Sequence, residues 1–243
     1  MISAPHSFQT TRWTNLLRLR EGVDVQERDL ILSQLCRAYW FPLYGYARRT
    51  GRSPQDAEDL TQGFFERALA NDLFAKANRD SGKMRTFLLT AFQRFMRDEH
   101  EKAAAGKRGG GLRALSFDAM EAEERYQCEP QNLATPEDLY NRRWARDFFA
   151  TITERLRLEY STEGKGKAFE AVRPWLLQEG SAAEYGPAAA SLGVTEGNFR
   201  VMIVRYRKRY RELFREAVAD TLDSPSAEEI EQEIRELIRL GSR

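Results

Sequence analysis

The chain has 243 residues, with 38 Lys and Arg against 37 Asp and Glu, for a formal net charge of +1. That balance excludes a uniformly basic histone-like binder and an acidic tail protein, while 31% charged residues leave room for local segregation of charge. Hydrophobic residues at 42%, with 14 Phe and 9 Tyr, suffice for a packed core and exclude wholesale disorder. Cys36, Cys128, His6 and His100 are the only cysteines and histidines, too few and too widely spaced for a four-ligand zinc site or an HExxH motif. No metal, cofactor or disulfide framework is therefore expected. The opening MISAPHSFQTTRW has neither a basic nor an apolar leader segment, and no run approaches the roughly 18 apolar residues of a membrane span, so a cytoplasmic protein is expected.

Apolar residues recur at three- and four-residue steps through 27–48, 54–70, 84–99, 139–159, 167–178, 195–219 and 227–240, without a convincing strand, which predicts an all-α fold. The second segment opens with Ser53, Pro54 and Asp56, a helix-start signal, and no proline interrupts Gln55 to Glu129. Along it Ala57, Leu60, Phe64, Phe65 and Ala68 form an apolar stripe. Asp56, Glu58, Asp59, Gln62 and Glu66 are left for other faces, where first-turn acids suit the helix dipole and the rest suit a protein-docking surface. In the third segment Met84, Phe87, Leu88, Ala91, Phe92 and Phe95 line one face, and Arg85, Arg94 and Arg97 project elsewhere. Lys107 and Arg108 extend that positive charge.

Composition changes at GKRGGG, beginning at Gly106, and stays polar until TPED at Thr135–Asp138. Residues 106–134 read as a flexible linker, although LSFD at Leu115–Asp118 is apolar enough to dock. The chain thus divides into a helical bundle, 1–105, the linker, a second helical domain, 135–220, and an extension, 221–243. In the extension Ser226 and Glu229 have capping-box spacing, and Ile230, Ile234, Leu237 and Ile238 form an apolar face.

The segment YGPAAASLGVTEGNFRVMIVRYRKRYRELFREAV, Tyr185–Val218, has the grammar of a helix-turn-helix. Ala188, Ala189 and Ala190 permit close helix approach, Gly193 suits the turn and Thr195 can cap the second helix. Pro187 places the first helix start near Tyr185. On the second helix Phe199, Met202, Ile203, Tyr206, Tyr210, Leu213 and Phe214 face a core, leaving Arg200, Arg205, Arg207, Lys208, Arg209, Arg211 and Arg215 outside. A stripe with no acid from Phe199 to Arg211 suits phosphate neutralisation and base readout in a major groove. A solvated face paired with Glu212 and Glu216 is the plainer explanation of the same charges.

Taken in order, these segments resemble those of an extracytoplasmic-function sigma factor of bacterial RNA polymerase. DAEDLTQGFFERAL at Asp56–Leu69 resembles the polymerase-docking helix of domain two, FLLTAFQRFMRDE at Phe87–Glu99 its promoter-melting helix, and the segment from Tyr185 the domain-four helix-turn-helix. FQTTRWTNLL, GKRGGG and LSFD are similar to a planctomycete-like subgroup often encoded beside Ser/Thr kinases. The resemblance implies core polymerase and promoter DNA as partners, with a Ser/Thr kinase or an anti-sigma factor as regulator, and no catalytic activity. It implies that Asp56, Glu58, Asp59 and Gln62 dock on polymerase, that Asn78, Arg85, Arg94 and Arg97 engage the melted minus-10 element, and that Thr195, Glu196, Asn198, Arg200, Val201 and Arg205 read the minus-35 element.

Three departures qualify that carry-over. Gly63 stands where the docking helix usually has an acid, Arg94 replaces a common Asn, and EHEKAAAGKRG is less basic than the usual arginine tail. Thr61 lies two residues before Gly63, and its phosphate would return about −1.5 to −2 charge to the docking face. The acids of the extension could also shield the Arg200–Arg215 stripe. Two rivals stand beside the sigma reading: a helix-turn-helix regulator that binds duplex DNA without polymerase, and a helical hydrolase using Asp56, Asp59 and Glu66.

Overall fold

The computed structural model describes residues 19, 22–71, 73, 83–105, 117–128, 135–178, 182–222 and 224–241, and every extended element among them is helical. In chain order these are α1 (Val25–Arg49), α2 (Pro54–Ala70), α3 (Met84–Ala105), α4 (Phe117–Gln127), α5 (Pro136–Thr162), α6 (Gly166–Val172) with a 3-10 turn at Arg173–Trp175, α7 (Ala182–Ser191), α8 (Glu196–Asp220) and α9 (Ala227–Gly241). Several starts use one device. Asp24, Ser53, Thr135 and Thr195 sit in extended backbone and accept the amide N–H three residues on, at 2.9 to 3.2 Å. Each such cap contributes about 1 kcal/mol, and Pro54 and Pro136 at the first helical turn need no donor there.

The 27 residues of α5 extend roughly 40 Å at 1.5 Å per residue, and both halves of the molecule pack on them. Toward its start, Tyr140 donates to the Arg85 carbonyl at 2.9 Å, and the buried Arg143 guanidinium lies over the Phe41 and Tyr126 rings. Toward its end, Phe148 and Phe149 pack against Phe214 at 5.4 and 5.1 Å, and Tyr160 stacks on Tyr206 at 3.9 Å. Trp144 stacked on Phe148 at 5.0 Å joins the two sets. The buried core therefore runs unbroken from Ile31 to Leu237 and has no gap where residue 135 begins the second predicted domain.

Part of the predicted linker is ordered helix. α4 starts within LSFD and buries Ala119 and Ala122, and its Glu123 accepts from Tyr44 at 2.7 Å, from Arg48 at 2.7 and 2.9 Å, and from Gln127 at 3.2 Å. Arg125 stands over the Phe41 ring at 3.7 Å and reaches Asp147 at 3.0 Å. Burial alone would raise the Glu123 pKa, but the bonds from Arg48, Tyr44 and Gln127 outweigh it and hold the carboxyl below its ordinary value. A depressed folded-state pKa means stability that is present above the unfolded value and lost as pH falls through the folded one.

Urea midpoints of wild type and Glu123→Gln are therefore expected to differ at pH 7 and to converge only in acid, once pH has fallen below the depressed folded-state value and wild type also carries a neutral side chain. Gly45 in α1 tests the packing under α5, because a Cβ there would overlap the Arg143 guanidinium. Gly45→Ala is expected to lower unfolding free energy by about 1–3 kcal/mol despite its better helix propensity, measurable by urea titration.

Candidate nucleic-acid interface

The turn between α7 and α8 follows from Gly193. Its φ is +66°, in the left-handed region that glycine enters without a Cβ penalty. Its N–H donates to the Ala190 carbonyl at 3.0 Å while the Val194 N–H reaches back to Ala189 at 3.1 Å, closing the end of α7. Phe199 is fully buried one turn into α8, edge-on to Trp175 at 5.5 Å and tilted against Tyr185 at 6.2 Å. The first helix starts at Ala182 rather than near Tyr185, so Pro187 lies inside it. That helix continues through the proline, which as its sixth residue forgoes one backbone hydrogen bond of the second turn.

Phe199, Ile203, Tyr206, Tyr210, Leu213 and Phe214 are buried as their spacing predicts, and Met202 is half-buried. Asn198, Val201, Arg205 and Lys208 form one exposed line at three- and four-residue steps. Val201 and Val204 are 48% and 66% exposed, so two apolar side chains stand among the polar ones, as contact with thymine methyl groups requires. The basic residues divide by task. Arg207 donates to the carbonyls of Trp175 and Gln178 at 2.8 and 2.6 Å, Arg209 grips Glu159 with two bonds of 2.9 Å, and Arg215 pairs with Glu231. Arg200 pairs within the helix with Glu196 at 2.6 Å and lies over Tyr185. Arg205, Lys208 and Arg211 are exposed and have no carboxylate partner among the described residues.

The N-terminal candidates are less uniform. Asp56, Asp59 and Gln62 are exposed on α2, with Ser53 donating to Asp56 at 2.8 Å and Gln62 to Glu66 at 2.9 Å. Glu58, expected on the same docking face, is only 6% exposed. Thr61 is fully buried and donates to the Ala57 carbonyl at 2.7 Å, so this packing offers no hydroxyl to a kinase. A Cβ on Gly63 would stand 3.3 Å from the Phe95 ring, which shows how closely α2 and α3 approach there.

Asn78 lies outside the described residues. Arg94 and Arg97 are exposed on α3, whereas Arg85 is buried over the Trp144 ring at 5.1 Å and bound by Glu233 and Glu236. Nine residues at 100° each set Arg85 and Arg94 on opposite sides of α3, so the structure does not gather the expected minus-10 set. Sequence spacing shows that opposition, but nothing in it shows the partner that buries Arg85.

That partner, α9, opens with the expected capping box: the Ser226 N–H donates to Glu229 at 2.7 Å and the Glu229 N–H to Ser226 Oγ at 3.2 Å. Leu237 is fully buried and Ile230 and Ile234 partly so, while Ile238 is exposed at the edge of a groove of about 820 Å³ between α5, α8 and α9. Of its acids only Glu231 reaches the α8 stripe, at Arg215; Glu233 and Glu236 turn the other way, to Lys83 and Arg85. Among the described residues no group of three or more His, Cys, Asp or Glu gathers as metal ligands, and no helix is long and apolar enough to cross a membrane.

Comparison with protein-family models, with curated proteins and with solved structures finds no match to this chain.

If the exposed α8 line carries duplex binding, Arg205→Ala/Lys208→Ala is expected to weaken it and to flatten the slope of log K against log salt by roughly 1.8, about 0.9 for each lost phosphate contact. Arg209→Ala, which removes a cation committed to Glu159, is expected to leave that slope near wild type while lowering stability. Fluorescence anisotropy across a salt series checks both.

Proposed function

We propose that the protein is a promoter-recognition subunit of the sigma type, which joins core RNA polymerase to promoter DNA in the cytoplasm and contributes no catalytic group. The observation that carries this reading is the exposed line Asn198, Val201, Arg205 and Lys208, set on a capped helix behind the Gly193 turn, its two cations without a carboxylate partner among the described residues of a chain of almost neutral charge. A recognition helix needs this combination of phosphate-seeking cations and base-reading side chains. Thr195, Glu196 and Arg200 stand at its entrance and join it in reading a minus-35 element.

The sigma assignment beyond duplex binding rests on the order of the resembling segments, supported by the exposed Asp56, Asp59 and Gln62 on α2. In this reading α2 docks on polymerase, with Glu58 supporting the helix from inside. Arg94 and Arg97, with Asn78 earlier in the chain, meet melted minus-10 DNA. Residues 106–134 act as the connection that lets residues 1–105 and 135–220 separate on the polymerase surface, with 221–243 as a regulatory extension. An anti-sigma factor or a Ser/Thr kinase remains a natural regulator, and Thr61 could serve a kinase only after α2 loosens.

The continuous core favours one rival, a regulator that binds duplex DNA as a closed unit without polymerase. Reconstitution separates the two. Under the sigma reading, the purified chain co-elutes with core polymerase without DNA and directs promoter-selective transcription from a fragmented genomic library. Asp59→Arg is expected to reduce co-elution at least about tenfold while leaving duplex affinity intact, since charge complementarity sets docking of an exposed helix. Duplex binding without co-elution would establish the regulator instead.

A further inference from the structure

The α9 helix neutralises two separate cationic places. Glu233 and Glu236 bind Lys83 and Arg85 at the start of α3, across 148 to 153 residues of sequence, while Glu231 binds Arg215 near the end of α8. Glu233 and Arg85 are 1% and 3% exposed. Removing two charges from water costs several kcal/mol per ion, so such a pair is a weak fastener compared with apolar residues of the same volume. An ionic fastener differs in how it opens, because both ions regain their hydration. The apolar row that otherwise seats α9 is Leu237 with the partly buried Ile230, Ile234 and Leu240.

The place occupied by the two carboxylates is chemically suited to phosphate. Lys83 and Arg85 stand at the N-terminal end of α3, where the helix dipole adds positive potential. The Arg85 guanidinium, laid against Trp144 and fixed below by the Tyr140 bond to its own carbonyl, presents two nitrogens to two different carboxylates. The same planar fork can donate to two phosphate oxygens instead.

We propose that Lys83 and Arg85 form a binding site for nucleic-acid backbone phosphate, and that Glu233 and Glu236 of α9 occupy it in the closed chain as an internal competitor. The site rests on the DNA-binding reading above and adds its regulation: DNA gains these cations only when α9 lifts, and the lift also frees Arg215.

The test uses the full chain and a labelled duplex of random sequence. Glu236→Lys sets a cation against Lys83 and Arg85, and Glu228→Lys makes the same charge change at an exposed position with no ion pair among the described residues. Faster amide exchange over 227–241 and duplex binding about fivefold or more tighter are expected for Glu236→Lys than for Glu228→Lys. Adding Lys83→Ala to Glu236→Lys is expected to cancel most of the gain. Circular dichroism checks that the one-third-exposed position 236 tolerates the change, with Glu236→Gln as the milder variant, for which a smaller gain over Glu228→Gln is expected. Equal affinities for Glu236→Lys and Glu228→Lys, a gain that survives Lys83→Ala, or unchanged exchange in α9 would each overturn the competitor. Absence of duplex binding by every variant would instead remove the DNA reading itself.

Discussion

One long helix determines what this fold can do. α5 is shared, with Tyr140, Arg143 and Trp144 packed among the N-terminal helices and Phe148, Ile152 and Leu156 buried toward α8. Trp144 stacked on Phe148 leaves no polar seam between these groups where the chain could part cheaply. α4 strengthens the N-terminal attachment through Glu123, which ties Tyr44 and Arg48 to a segment whose composition reads as a tether. Any separation of the halves must therefore expose apolar surface along α5, at roughly 25 cal/mol for each Å².

Helix positions were legible in the sequence to a high degree because their determinants are local. Ser53-Pro54, Thr135-Pro136 and Thr195 mark starts that the backbone adopts, and apolar spacing located the segments of α1, α2, α3, α5, α8 and α9. α4 escaped for a physical reason: it has eleven residues, and much of its attachment is made by charged and polar groups, so it leaves no wide apolar stripe. Pro187 misled the placement of α7 because a proline reads as a first-turn residue, whereas the helix spans Ala182–Ser191 and forgoes the backbone bond that position lacks.

The candidate site was legible where exposure follows from helical phase and illegible where it depends on a distant element. Asn198, Val201 and Arg205 face outward because Phe199, Ile203 and Tyr206 face inward. Arg85 carries no comparable signal, because its burial requires α9, encoded nearly 150 residues later. Thr61 and Glu58 show the converse. Both are polar residues on a helix rich in acids, yet each turns toward the interior, Thr61 by donating to the Ala57 carbonyl of the preceding turn.

The near-zero net charge is best understood as a sum of opposed local excesses. α8 has no acid between Phe199 and Arg211, whereas α9 carries Glu228, Glu229, Glu231, Glu233 and Glu236 against Arg235 and Arg239. Folding brings part of these excesses together at Arg215, Lys83 and Arg85 while Arg205, Lys208 and Arg211 stay open. A polyanion approaching the closed chain therefore meets a reduced set of cations on α8 alone. Lys83 and Arg85 are neutralised by Glu233 and Glu236 in the closed chain, so they are withheld from such a ligand while those pairs hold. In the proposed competition, contact there would require the carboxylates of α9 to leave, so that the position of this helix, rather than the total charge, would set affinity.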